Sequence, residues 1–310
     1  VPASRANELL CTGGIVAPNS SQLAAISRLF SSAVFREMAK KGRSATFARL
    51  FSMTGIQGDC SPNLTVGGAF DTAFAVLKRG GLRDEYIYRA AVTHKVLIGK
   101  HSLNTACMLT EFRAGACKAD LVILNGTATV FEIKSERDSL ARLCNQVANY
   151  KKVFACVNVI ASEAHVRGVL EAVPEDVGVM CLSRRYQIST VRDAEDRPDR
   201  VCPVTVFKSL RASEAREILK SLGHRVPEVP NTMLHHAMGA LFANLRSTDV
   251  HLAMVSTLKR TRNLSPLSEL VGKLPASLHA AALSIQVRKS EHDRLVEAVL
   301  TPLIDAMAWT

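Results

Sequence analysis

The chain has 310 residues, 47% of them hydrophobic and 5% aromatic, with 39 Lys and Arg against 28 Asp and Glu. This is enough apolar content for a packed core, which excludes a disordered polyelectrolyte, and no apolar run is long enough to span a bilayer. A net charge of +11 suits a polyanionic partner such as nucleic acid or an anionic surface.

In chain order, residues 1–19 read as irregular. Asn19 then offers an N-cap, and Leu23, Ile26, Leu29, Phe30, Phe35 and Met38 recur at helical spacing, which predicts one helix ending at Lys40-Lys41-Gly42. A short helix over 47–51, a Gly/Asn/Pro/Ser-rich linker over 55–68, and a helix over 69–79 follow. Residues 84–97 read as a helix and 106–112 as a strand. Two apolar runs joined by Asn125-Gly126 then read as a β-hairpin. A helix over 136–154, a strand over 155–160, a helix over 163–172 and strands over 177–182 and 186–190 complete the series. This order predicts an α/β protein with a mixed sheet flanked by helices. The charged stretch 192–200 reads as a second linker. Beyond it, helices are predicted near 211–222, 231–245, 248–260, 265–273, 276–286 and 289–307. The expected organisation is a helical N-terminal extension over 1–68, a core over 69–200 and a helical C-terminal region over 201–310.

The eight cysteines lie at 11, 60, 107, 117, 144, 156, 181 and 202, with no C-x-x-C pair and no Cys/His cluster at ligand spacing. Reduced thiols, and so a cytoplasmic location, are expected. The N-terminus also lacks the basic-then-apolar plan of a signal peptide. His165 and His235-His236 have no partners at metal spacing.

The hairpin carries the chemistry. Asp120 opens its first strand, and Glu132-Ile133-Lys134 ends its second. Side chains alternate along a strand, so Glu132 and Lys134 share one face, and Asp120 on the partner strand can lie beside Glu132. Two carboxylates and a lysine at the edge of a buried hairpin are costly without compensation, and a divalent cation is the usual one. Asp120, Glu132 and the Ile133 carbonyl are the expected ligands of Mg²⁺ or Mn²⁺. Lys134 is the expected group for orienting a water or stabilising a phosphoryl transition state. Gln146 and Tyr150, spaced i to i+4, fall on one face of the next helix, and Glu85 near the start of the preceding helix offers a further carboxylate.

Asp120, eleven residues, then Glu-x-Lys, with Glu85 before and Gln146-x-x-x-Tyr150 after, resembles the PD-(D/E)XK nuclease superfamily, the restriction-endonuclease-like proteins. The segments RDEYIYRAAVTHKVL, HSLNTACMLTEFRAG, KADLVILNGTATVFEIKSERDSLARLCNQVANY and PEDVGVMCLS are similar to a bacterial and prophage-associated family of nuclease-like proteins. The resemblance covers about residues 69–195. It implies a Mg²⁺-dependent nuclease, expected to act on DNA, with a four-stranded mixed core sheet and a role in phage defence, prophage competition or DNA processing. The motif residues fall on Glu85, Asp120, Glu132, Lys134, Gln146 and Tyr150; Ala119 stands where the motif proline would be. A silent nuclease fold that binds nucleic acid or protein, and an RNase, are the alternatives. A protein partner or a homodimer through the helical extensions is also left open.

Around this motif the residues allow more than one reading. Glu111 is either a further ligand or the partner of Arg113, and Lys118 is a candidate phosphate contact. Glu136, Arg137 and Asp138 are expected to begin a helix in solvent, with Arg137 and Arg142 able to reach a nucleic-acid phosphate. The clusters Lys40-Lys41-x-Arg43 and Lys259-Arg260-x-Arg262 read equally as backbone-binding groups or exposed helix ends. Lys151-Lys152 and Arg184-Arg185 read as solvated faces. Aromatic residues are too sparse for a base-stacking platform.

Overall fold

The computed structural model describes residues 17–56, 63–99 and 101–310. Its centre is a six-stranded mixed sheet in the order β1-β2-β3-β4-β5-β6, formed by Cys107–Ala114, Cys117–Asn125, Thr127–Lys134, Cys156–Ser162, Gly178–Leu182 and Ile188–Arg192. β1, β2 and β3 pair antiparallel, β3, β4 and β5 run parallel, and β6 returns antiparallel to β5. Parallel pairing aligns the carboxyl ends of β3, β4 and β5 along one edge of the sheet, and residues after those strands meet there. The hairpin turn is made at Gly126, whose φ of 74° is open to glycine and strained for most residues.

Before the sheet come helices α1 (Ser20–Leu29), α2 (Ser32–Lys41), α3 (Ala45–Ser52), α4 (Val66–Leu77) and α5 (Glu85–Val92). Within it lie α6 (Leu143–Tyr150) and α7 (Val166–Ala172). After it follow α8 (Pro203–Ser209), α9 (Ala212–Ser221), α10 (Asn231–Ala243), α11 (Ser247–Thr261), α12 (Ser268–Lys273), α13 (His279–Ser284), α14 (His292–Leu300) and α15 (Leu303–Ala306). Helices from both ends of the chain pack on the sheet: α5 and α11 on β3, and α8 and α13 on β1. Buried side chains of the N-terminal helices, the sheet and the C-terminal helices join one apolar cluster.

Several elements differ from the sequence reading. The first predicted helix is two, because the chain turns at Phe30-Ser31 and Phe30 stacks on Tyr86 with ring centroids 4.6 Å apart. The 84–97 helix is α only to Val92 and continues as a π-helix, Thr93–Ile98; the Thr93 hydroxyl donates to the Arg89 carbonyl 2.8 Å away. The helix expected over 136–154 shrinks to α6, since Asp138 accepts from the Ser135 N–H and hydroxyl and so holds a turn at its start. The predicted 289–307 helix breaks before Pro302, where Leu303 N–H donates to the Leu64 carbonyl and Val66 N–H to that of Thr301.

The charged 192–200 stretch is held rather than free. Arg197 N–H donates to the Ala155 carbonyl, Glu195 N–H to that of Asp176, and Arg200 pairs with Asp176. Cys107, Cys117, Cys144, Cys156, Cys181 and Cys202 are free thiols, and Cys11 and Cys60 lie outside the described residues. No helix among the described residues is long and apolar enough to cross a membrane.

Candidate functional site

The β2–β3 register pairs Leu121 with Phe131, so the next step outward sets Asp120 opposite Glu132. The Asp120 carboxylate accepts at Oδ2 from the Ile133 N–H, 2.8 Å away, which fixes it against β3. Its Oδ1 has no hydrogen-bond partner among the described residues. Glu132 and Lys134 are 1% and 4% exposed, and Lys134 Nζ lies 2.8 Å from Glu132 Oε1 and 3.0 Å from Gln146 Oε1. The Tyr150 hydroxyl sits 2.7 Å from Glu132 Oε2 and 2.8 Å from the Lys118 carbonyl, its single proton shared between them. Gln146 and Tyr150 are one helical turn apart on α6, and both reach the same strand. The structure therefore brings together Asp120, Glu132, Lys134, Gln146 and Tyr150, as expected. α6 acts by gripping the Glu132–Lys134 pair.

Glu85 stands beside this cluster without joining its hydrogen bonds. Exposed at the first turn of α5, it pairs with Arg89, and its charge reaches Asp120. Burial pushes the Asp120 carboxyl up to about 8, and the neighbouring charge of Glu132 and then that of Glu85 push in the same direction; the Ile133 N–H and Lys134 pull against them. The Tyr150 phenol is held above its ordinary range by burial and by Glu132. The site is thus short of positive charge even with Lys134 in place.

Among the described residues no three His, Cys, Asp or Glu side chains form a metal-holding group. The donors that fit a divalent cation are two carboxylates, Asp120 with its free oxygen and Glu132, together with the Ile133 carbonyl between Glu132 and Lys134.

On β1, Glu111 would face Asp120, but that pair is missing from the ladder and Glu111 adopts φ 53°. Positive φ at a non-glycine residue is strained, and here it bends the strand next to Asp120. Glu111 pairs loosely with Lys118 at 3.7 Å rather than with Arg113, and both side chains are exposed. Arg137 is exposed with its charge near the half-buried Asp84, and Arg142 is exposed at the start of α6. The side chains of Lys118, Arg137 and Arg142 are therefore exposed to a ligand; Lys118 and Arg142 meet the cluster only through their backbone carbonyls, which accept from Tyr150 and Gln146. Arg262 is spent internally: it donates twice to Glu214 and lies over the Phe112 ring at 5.2 Å. Arg260 pairs with Glu217.

Glu136 is half-buried rather than in solvent, where the sequence predicts it. Its Oε2 is buried and faces the buried Tyr88 hydroxyl, whose pKa burial and then the Glu136 charge push up. Glu136 lies just past the end of β3, in the turn that Asp138 closes on Ser135, and neither strand alternation nor helical period places it.

Fold and site together define a mixed α/β protein with a buried carboxylate–lysine cluster where two antiparallel strands meet a parallel one. The chain belongs to the bacteriophage P4 protein cII family, whose match spans residues 78–268 and so contains every strand and the whole cluster. Protein cII of Enterobacteria phage P4 is 27% identical over 202 residues, 62% of this chain and 75% of that protein. A protein of unknown function from Silicibacter pomeroyi aligns with 46% of this chain and 94% of its own at 18% identity, with a TM-score of 0.29.

Proposed function

We propose that the chain is a metal-dependent nuclease of the restriction-endonuclease-like fold that hydrolyses phosphodiester bonds in DNA. The observation that carries the reading is the hydrogen-bonded set Lys134–Glu132–Tyr150 with Gln146, closed on its open side by Asp120. The order α5-β1-β2-β3-α6-β4 around it agrees with the helix, hairpin and helix that the motif requires. A relative from a phage agrees with a role in phage competition or defence.

Bound between Asp120, Glu132 and the Ile133 carbonyl, Mg²⁺ or Mn²⁺ would lower the pKa of a water and clamp a phosphoryl oxygen. The chain's own residues prepare that step. Tyr150 and Lys134 fix the two oxygens of Glu132, so its orientation is set before substrate arrives. Gln146 fixes Lys134 in turn and leaves one of its three N–H groups for a phosphoryl oxygen or the attacking water. Asp120 must release its proton to ligate, which the cation's charge favours.

One observation favours a second reading, a silent fold that only binds: both oxygens of Glu132 are already satisfied by the protein. Incubating the purified chain with plasmid DNA, oligonucleotide DNA and RNA in Mg²⁺, Mn²⁺ or EDTA separates the two. Cleavage of DNA in Mn²⁺ or Mg²⁺, absent in EDTA and in Asp120→Ala and Lys134→Ala, supports the nuclease. Binding without cleavage in the parent, unchanged in both variants, overturns it, and cleavage of RNA alone moves the substrate to RNA.

A further inference from the structure

Beyond the cluster, on the same edge of the sheet, lies a concentration of positive charge that the site does not use. A concavity of about 500 Å³ at the β5–β6 turn is lined by Lys78, Arg79, Lys95, Arg184, Arg185 and Tyr186, with no carboxylate in its lining. Lys78, Arg79, Lys95 and Arg185 make no ion pair with any described carboxylate; Arg184 alone has one, Glu163 at 3.6 Å. Tyr186 is at φ 60°, a strained turn residue whose ring is thereby set among the cations. Lys78 Nζ lies 4.7 Å and Lys95 Nζ 5.7 Å from its centroid, and buried Arg83 lies 5.9 Å away. Arg83 in turn pins the turn from below through the carbonyls of Leu182, Ser183 and Arg184. Five like charges held this closely repel one another, and a polyanion is the partner that offsets the cost.

The placement ties the patch to the cluster. Lys134 pairs with Ala161 and Ala161 with Cys181, so Lys134 and the end of β5 lie in one cross-strand row, about 10 Å apart by the usual strand spacing. Arg184 follows three residues later. A cavity of about 150 Å³ lies in the interval, lined among others by Glu136, Glu163, Arg83 and Arg184, the last of which lines both concavities. The patch thus begins in the turn that follows β5, two strands across the sheet from Lys134. The aromatic in the lining, Tyr186, is half-buried and its ring is covered by Lys78 and Lys95, so the patch presents cations rather than an open stacking face to a nucleic acid.

We infer that the patch formed by Lys78, Arg79, Lys95, Arg184 and Arg185 binds the phosphate backbone of double-stranded nucleic acid and leads it toward the Asp120–Glu132–Lys134 cluster. The direction toward the cluster rests on the nuclease reading; the binding itself does not. Full-length protein is titrated into a fluorescent 20-base-pair DNA duplex in EDTA, where no metal-dependent cleavage occurs, at several salt concentrations. The variant Arg79→Ala/Lys95→Ala/Arg185→Ala is expected to bind about 10- to 100-fold more weakly, with the slope of log affinity against log salt reduced by about two to three. A second triple variant, Lys208→Ala/Lys220→Ala/Arg225→Ala, removes the same charge from other exposed positions and is expected to keep near-parental affinity and slope; thermal melts establish that both are folded. Equal loss in the two variants, no loss in the first, binding of oligo-dT in preference to duplex, or binding of anionic vesicles but no duplex each overturns the inference. Loss of duplex binding with no cleavage by the parent in Mn²⁺ leaves the patch standing and removes the nuclease; parental cleavage that the patch variant retains in full keeps the nuclease and overturns the path from patch to cluster.

Discussion

Tyr150 holds Glu132: its hydroxyl, reaching across from α6, meets Oε2 at 2.7 Å while the carboxylate's other oxygen is taken by Lys134. A carboxylate buried to 1% exposure is tolerated because both oxygens are answered. Tyr150→Phe removes the hydroxyl and leaves the ring packed. It is expected to lower stability by about 1–2 kcal/mol in urea denaturation, the cost of an unanswered buried acceptor, and to reduce any DNA cleavage more than DNA binding.

Removing Lys134 strands a buried charge. Lys134→Met is expected to destabilise the chain by about 3–5 kcal/mol, whereas Lys134→Met with Glu132→Gln costs less than Lys134→Met alone because no carboxylate is left unpaired. Denaturant midpoints of the parent, the two singles and the double measure this coupling; additive losses would show that the pair is not a unit.

Burial and the neighbouring Glu132 charge push the Asp120 carboxyl up to about 8 from an ordinary 3.8. Between those values the unfolded chain gives up the proton and the folded chain keeps it, so Asp120 makes stability fall as pH rises from about 4 to about 8. Asp120→Asn abolishes that slope and is expected to raise the melting temperature at pH 8.5 by about 2–6 °C over the parent, with a smaller difference at pH 5. Scanning calorimetry at both pH values reads it.

A cation bound by ionised Asp120 competes with its proton. Millimolar Mn²⁺ is expected to raise the parent's melting temperature at pH 8.5, to do so less at pH 6, and to leave Asp120→Asn unmoved. An equal shift in parent and variant would place the ion elsewhere.

Gly115, in the β1–β2 turn, has φ 60°, and a Cβ there would stand 2.4 Å from Asn149 Oδ1, the atom that accepts the Ala116 N–H. Gly115→Ala is expected to cost about 1–3 kcal/mol, while Gly126→Asn, at φ 74° with nothing within 4 Å of a Cβ, is expected to cost under about 1 kcal/mol. Thermal melts compare the two.

The hairpin was legible in the sequence because its signals are local. Alternation, β-branched runs and an Asn-Gly turn set the register, and the register alone puts Asp120 across from Glu132. The spacing of Gln146 and Tyr150 likewise follows from helical geometry, although the helix that bears them begins at Leu143 rather than near 136. Asp138 decided that boundary by bonding to Ser135, a local competition that apolar periodicity does not register.

Composition and period thus determined the α/β class, the mixed sheet and the residues that meet at its centre. Only the tertiary structure decided what those residues experience. The raised Asp120 carboxyl, the buried Glu136 oxygen and the gathering of Lys78, Arg83 and Lys95 around Tyr186 depend on segments far apart in the chain. Burial and Coulomb energies are set by distance in space, and sequence separation carries no information about that distance until the strands are paired and the helices laid on them.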